Sequence, residues 1–437
     1  MPTIGTKNLT TPSYKQALWF WWKLGWISFG GTAAHIAIMH DDLVERKGWI
    51  SNHEFLHALS HCMILPGPEA QQLGIYIGWK LHGKKGGIAA GSLFVLPSMC
   101  VLLALSLVYV RFGNLPWTAA MFGGLKPTVL ALVVAALFSV GGRALVTRLQ
   151  WVVALAAFLA MAYFHVQLPW VMAAVIGVGL AVGQWFPEWL PHDCRSGLPE
   201  PKMPSLTRTD MRRPIAQIVA SGVALWMFPL CLLYWLGRDF SFWRGLTFFF
   251  TRTAFVTIGG SYTVLPYVAQ IAVTKYHWLN QTQMLDGFAL AETTPGPLII
   301  VVAFVGFMAG FQHFHGSMWM GTIALLVTTF YTFLPCFIFV FAGAPLVERS
   351  QGKVRIEIVL KLVTAVVVAA ILDLTVFLSR GVLFPGSAVR WPGLDVYALV
   401  WCAISFVLLR AFKVNVVGVI GLSLLMGVCR WLLFRGC

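Results

Sequence analysis

A glycine pair and a Pro-Gly-Pro triplet occur twice in this chain, each time inside apolar sequence and near a basic residue. The first set is Lys23, Gly30-Gly31 and Pro66-Gly67-Pro68, and the second is Arg252, Gly259-Gly260 and Pro295-Gly296-Pro297. Every landmark is displaced by 229 residues, and Phe20 with Phe249, Ser28 with Thr257 and Trp49 with Trp278 keep the same register. Proline deletes a backbone donor and clashes with the preceding turn, while glycine lets the chain change direction. A helix split this way in lipid is tolerable only where its freed backbone groups line a polar cavity or are buried in protein. The half-helix that follows presents N–H groups with a partial positive charge, a ready site for an anion. The spacing therefore predicts two cradles for a small tetrahedral oxyanion, at residues 67–71 and 296–298. Gly67, Glu69 and Gln71 belong to the first, Gly296 and Leu298 to the second. Ser28, Thr257 and the turns at Gly30, Gly31, Gly259 and Gly260 complete the shell.

Counter-charges follow the same repeat. Leu125-Lys126 with Val133, Ala135 and Leu137 aligns with Leu360-Lys361, Val368, Ala370 and Leu372, so each half brings two cations. Charges within spans are costly and face a cavity or a partner. Lys23, Arg252 and Lys126 are the expected counter-charges, and Lys361 lies either inside its helix or with its charge snorkelling to an interface. Glu69 and Glu292 flank the two breaks. A carboxylate beside an anion site repels the anion when ionised, so protonating it links proton and anion occupancy. His57, Asp286 and His35 are further proton-coupling candidates, histidine because it titrates near neutral pH. The alternative role for the acids is to neutralise Lys23 or Lys126. The acids are not duplicated: Glu69 aligns with Leu298, and Glu292 with Met63.

These groups need helices to position them, and the composition supplies little else. Hydrophobic residues are 58% and charged residues 11% of the chain, against about a quarter charged in soluble proteins. Apolar segments lie at 16–38, 54–82 (broken at Pro-Gly-Pro), 87–110, 117–140, 148–164, 168–186, 214–236, 244–268, 281–312 (broken again), 317–343, 355–378, 395–410 and 413–434. The reading is an all-α polytopic membrane protein of about thirteen transmembrane segments. Its parts are an N-terminal stretch (1–15), a first repeat (16–186), a polar linker (187–213), a connecting helix (214–236) and a second repeat (244–434).

The net charge of +15 sits in short loops rather than on a nucleic-acid-binding face. Sorted by side, 19 of the 31 Lys and Arg fall with the N-terminus. That bias predicts a cytoplasmic N-terminus and a periplasmic C-terminus. Seven crossings separate the starts of the repeats, which makes them inverted in topology, with a substrate site near the midplane. A re-entrant hairpin at 54–82 would change that half's parity. The eight cysteines are scattered without a CxxC pair, so neither a disulfide framework nor a cysteine metal site is expected, and no cofactor.

One motif points elsewhere. His53-Glu54-Phe55-Leu56-His57 is a literal HExxH, the zinc signature, and Leu285-Asp286-Gly287 resembles a third-ligand motif of intramembrane metalloproteases. Against it, the repeat makes Asp286 the counterpart of His57, and the element ends in a Pro-Gly-Pro already accounted for.

The stretches FWWKLGWISFGGTAAHIA, KGWIS, LPGPEAQQLGIYIGWKLHGKKGGIAAGSLFVLPS, TIGGSYTVLPYVA and ETTPGPL resemble the chromate ion transporter family, over nearly the whole chain and in both halves, as in its long, fused members. The resemblance implies a bacterial inner-membrane protein that expels chromate, confers resistance and runs on the proton motive force or on exchange. Sulfate, of like shape and charge, is the implied competitor or counter-anion. Transporters of this kind often pair as homodimers, and no pattern here marks an interface. Thr32 stands where the family pattern leads one to expect proline. On this reading Lys23→Ala and Arg252→Ala should each lose chromate resistance with the protein still inserted, and resistance retained by both would remove the counter-charge role.

Overall fold

Short helices that fold back, rather than single spans, carry the repeated motifs. The computed structural model describes residues 11–29, 31–63, 65–113, 115–185, 208–235, 239–257, 261–348, 354–384 and 393–434. Every regular element among them is helical. The first half contains α1 (Tyr14–Ile27), α2 (Gly31–His40) with a π-helical turn at Asp41–Arg46, and α3 (Asn52–Cys62). It continues with α4 (Glu69–Phe112), α5 (Pro116–Ala144), α6 (Arg148–Ala162) and α7 (Leu168–Trp185). Then comes α8 (Arg208–Trp235), so of the expected linker residues 208–213 are already helical and 187–207 lie outside the described residues.

The second half repeats the order: α9 (Phe240–Val256), α10 (Ser261–Thr274), α11 (Gln281–Thr293), and a 3₁₀ turn (Leu298–Ile300) leading into α12 (Val301–His313). It ends with α13 (Met318–Glu348), α14 (Val354–Leu383), α15 (Val396–Arg410) and α16 (Val416–Phe434). Six helices are long and apolar enough to cross a membrane, in α4, α5, α8, α13, α14 and α16.

The two Pro-Gly-Pro segments differ from the expected broken spans, because each is a hairpin. Glu54, in the first turn of α3, forms an ion pair at 2.7 Å with Lys80, near the end of the following helical arm. His61 and Tyr76, closer to the tip, have ring centroids 5.8 Å apart. In the second half Gln312 donates to Gln283 at 3.0 Å. Residues 54 and 80 would be about 39 Å apart along a straight helix. With 11 residues, α3 reaches about 16 Å, half of the roughly 30 Å hydrocarbon core. Glu54 and Gln283 each do two jobs, since they also close capping boxes with Ser51 and Asn280 at the starts of α3 and α11. His82 and Gly83 leave helical geometry, which divides α4 into arms 69–81 and 84–112.

The glycine-pair segments fold back as well. Phe249 of α9 stacks on Tyr267 of α10 at 5.7 Å. Phe20 meets Trp49 at 5.5 Å, and its counterpart Phe249 meets Trp278 at 5.4 Å. The repeat thus extends to individual contacts. Trp49 N–H donates to the Leu43 carbonyl, and Trp278 N–H to the Ala272 carbonyl, both at 2.9 Å.

Two packing features join the halves. Gly87 lies against Phe341 and Gly91 against Phe337, so arm 84–112 runs antiparallel to its counterpart α13. Helix α5 packs on α14, α15 and α16, while α14 packs on α5, α6 and α7. Each half therefore completes the packing of the other's last two helices.

Candidate functional site

Four hairpin tips meet in the interior, and they are cross-bonded between halves. Gly67 N–H donates to the Thr257 carbonyl at 2.5 Å, and Gly296 N–H donates to the Ser28 carbonyl at 2.6 Å. These are the same bond under the repeat. Both glycines have positive φ, +132° and +100°, where a side chain is strained. Neither has room for one: a Cβ on Gly67 would lie 2.4 Å from Gln72 Nε2, and one on Gly296 2.4 Å from Ser98 Oγ. Ser28 and Thr257, fully buried, close the α1 and α9 ends by donating their hydroxyls to the Leu24 and Thr253 carbonyls at 2.6 and 2.8 Å.

The N–H groups of Gly67 and Gly296, expected to face an anion, are thus engaged by carbonyls. Those that remain begin one residue past each break. Pro68 and Pro297 occupy the N-cap positions and supply no capping side chain. The first-turn N–H groups of Glu69, Ala70 and Gln71 therefore have no partner within their helix. In the second half Ile300 N–H turns back to the Pro297 carbonyl at 2.9 Å, which leaves Leu298 and Ile299. Leu298 is buried.

Around the first tip the side chains are polar and enclosed. Gln71 and Gln72 are fully buried and donate their amides to the Gly91 and Pro66 carbonyls at 3.4 and 2.5 Å. His35, also fully buried, places Nε2 3.2 Å from the Ser28 carbonyl, which fixes Nε2 as the protonated nitrogen. Its Nδ1 has no partner among the described residues. Glu69 opens arm 69–81, and Glu292 lies in the last turn of α11. Both are half-buried, and neither forms an ion pair among the described residues.

The three cations expected as counter-charges lie in different settings. Lys23 and Arg252 lie on exposed faces of α1 and α9. Lys23 lines an open groove with Gln16, Trp19, Asp42, Arg46 and Lys47. Lys126 is committed: its Nζ lies 3.2 Å from Asp286 Oδ1, and Tyr109 donates to Asp286 Oδ2 at 2.9 Å. Of the proposed proton-handling residues, Asp286 is thus the neutraliser of Lys126. His57 is half-buried on α3, its ring 4.2 Å from that of His61. Glu54 of the HExxH sequence is held by Ser51 and Lys80. No group of three or more His, Cys, Asp or Glu side chains among the described residues is placed to hold a metal ion. Gly30, Gly259 and Gly260 lie outside the described residues. Gln72, Ser98 and Tyr109 were not foreseen. Gln72 adjoins a predicted residue, but Tyr109 is 177 positions from its partner and leaves no local signal.

Membrane-length helices around paired hairpins define a multi-pass membrane protein. A profile described as "Chromate transporter" matches residues 15–180 and 244–428, and the chain belongs to the chromate transporter family. It is 32% identical over 434 residues to a chromate transport protein of Pseudomonas aeruginosa, covering 97% of this chain and 93% of that one. It is 29% identical over 376 residues to a chromate transport protein of Cupriavidus metallidurans, covering 85% and 84%. A transporter of Bacillus subtilis, uncharacterised, matches at 28% identity over 126 residues, 29% of this chain but 70% of its own length. No solved structure matches the chain.

Proposed function

We propose that this protein exports chromate across the bacterial inner membrane by secondary active transport and so confers chromate resistance. The oxyanion binds at the two uncapped helix starts beyond the Pro-Gly-Pro tips. The observation that carries this reading is the reciprocal bonding of Gly67 to Thr257 and of Gly296 to Ser28. It sets both helix starts at one interior locus, with donors contributed by each half.

The hairpins support an inverted topology. Each returns to the face it entered, so two crossings leave the count of each half and the number separating the halves stays odd. The halves are then inverted, the N-terminus cytoplasmic and the C-terminus periplasmic. Two further observations support inversion. Arm 84–112 is antiparallel to α13. In addition, Tyr14 sits beside His82 at one end of that arm, while Tyr109 at the other end touches Asp286 of α11. The hairpin pairs thus enter from opposite faces, and their rocking against one another opens the tips alternately.

Glu69 supplies the coupling. Ionised, it competes with chromate for the N–H groups at its own helix start, and protonated, it gives them up. A proton is thus taken up as the anion binds. In everted vesicles, a pH gradient imposed with the lumen alkaline, the direction in which a proton carried with the anion runs downhill, should drive accumulation of labelled chromate, and collapsing the gradient should stop it. Accumulation indifferent to the gradient but dependent on internal sulfate would replace proton coupling with anion exchange.

A further inference from the structure

Lys126 and Asp286 form the one ion pair between the two halves among the described residues. Its setting is apolar. The Asp286 side chain is 7% and the Lys126 side chain 21% exposed. The Tyr109 ring that completes the cluster has Phe122 and Phe304 edge-on at 5.3 and 5.4 Å. The three residues come from α5, α11 and arm 84–112, so the cluster ties a second-half hairpin to two first-half helices. A charge pair buried in this way holds the elements in one arrangement and resists their separation unless another counter-charge replaces the one lost.

The repeat shows that the cluster is one-sided. The counterpart of Lys126 is Lys361, and that of Asp286 is His57. A lysine and an imidazole cannot make the same ion pair, so the repeat does not duplicate this pair at the equivalent positions. On one face a cation is held in reserve behind a carboxylate.

We propose that Lys126, Asp286 and Tyr109 form a latch that closes the face entered by the α11–α12 hairpin, and that the oxyanion opens it. The arriving anion takes Lys126 as its counter-charge in place of Asp286, Asp286 keeps the Tyr109 hydroxyl, and the hairpin is released from α5. Asp286 and Tyr109 are positioning residues in this scheme, because they act on the anion through Lys126. The proposal rests on the oxyanion-transport reading and adds to it the group that the anion must displace.

Chromate uptake kinetics and hydrogen exchange of the full-length protein test it together. Asp286→Asn keeps the acceptor for Tyr109 and removes the competing charge, so the KM for chromate should fall about fivefold or more, a usual size of coupling between sites, while kcat drops. Tyr109→Phe takes away the partner that Asp286 keeps when the latch opens, so it should raise the KM, opposite in sign to Asp286→Asn, and a fall in KM would contradict the scheme. In the unmodified protein, chromate should speed exchange of the amides of residues 281–293. If the ion pair is purely structural, Asp286→Asn leaves the KM unchanged or raises it, and exchange at 281–293 is indifferent to chromate. Either result overturns the latch. So does full recovery of chromate transport in Lys126→Asp/Asp286→Lys, since the swapped pair keeps the bridge but moves the cation. If Asp286→Asn does not insert, the chromate-dependent exchange of the unmodified protein still decides. Vesicles of the unmodified protein that take up no chromate would refute the transport reading, whereas exchange that ignores chromate in transport-competent protein would refute only the latch.

Discussion

Gly296→Ala is expected to abolish chromate uptake in everted vesicles while the protein still reaches the membrane. Two independent effects act on one atom. At φ +100° the backbone alone costs about 1–3 kcal/mol for a residue with a side chain. The added Cβ would then lie 2.4 Å from Ser98 Oγ and 2.8 Å from Ser98 Cβ. The Cβ cannot rotate away, so the tip must move, and moving it breaks the bond from Gly296 N–H to the Ser28 carbonyl. Gly67→Ala should act in the same way, because at φ +132° its Cβ would lie 2.4 Å from Gln72 Nε2 and 2.8 Å from Cys336 Sγ, both fully buried. Adding Ser98→Gly to Gly296→Ala should restore part of the stability, since it relieves the collision but not the backbone strain. Uptake and resistance to thermal unfolding in detergent, measured for all four proteins, separate these effects. Wild-type uptake by Gly296→Ala would show that the crossed tips are not required.

The second large effect is on stability. Lys126→Met leaves the Asp286 carboxylate buried with only the Tyr109 hydroxyl as partner. Breaking a buried pair from one side costs about 3–5 kcal/mol, whereas replacing both partners with apolar groups is often near neutral. Lys126→Met/Asp286→Leu should therefore unfold close to wild type, with Lys126→Met far below both. The same double variant should not transport, because the cation is gone. The comparison separates holding the fold together from moving the anion. Equal stability of Lys126→Met and the double variant would mean that Asp286 is not confined as described.

The strict register of the two motifs made the repeat legible, and the structure carries it down to the Phe20–Trp49 and Phe249–Trp278 contacts. The hairpins were not legible, for a physical reason. Two half-length helices joined by a tight turn have the same hydropathy and nearly the same number of residues as one broken span. What separates them is a contact such as Glu54 with Lys80, formed across the tip by residues that also suit opposite membrane faces. The place of the cradles was readable from proline and glycine. Which N–H groups are left there was not, because Gly67 and Gly296 spend theirs on carbonyls of the other half. Lys126 was readable as a charge that needs a partner, but nothing local marked that partner as Asp286.

The exchange of packing between α5 and α14 has a consequence for biogenesis. Helices α6 and α7 find much of their contact surface on α14, and α5 finds its own on α15 and α16. When the ribosome has finished the first half, its tips also lack the N–H and C=O groups that Gly296 and Thr257 bring. The nascent half must wait in the bilayer, unclosed, until the last helices emerge. Final assembly is then one late step in which both halves become ordered together, and a stop late in the message forfeits the first half along with the second.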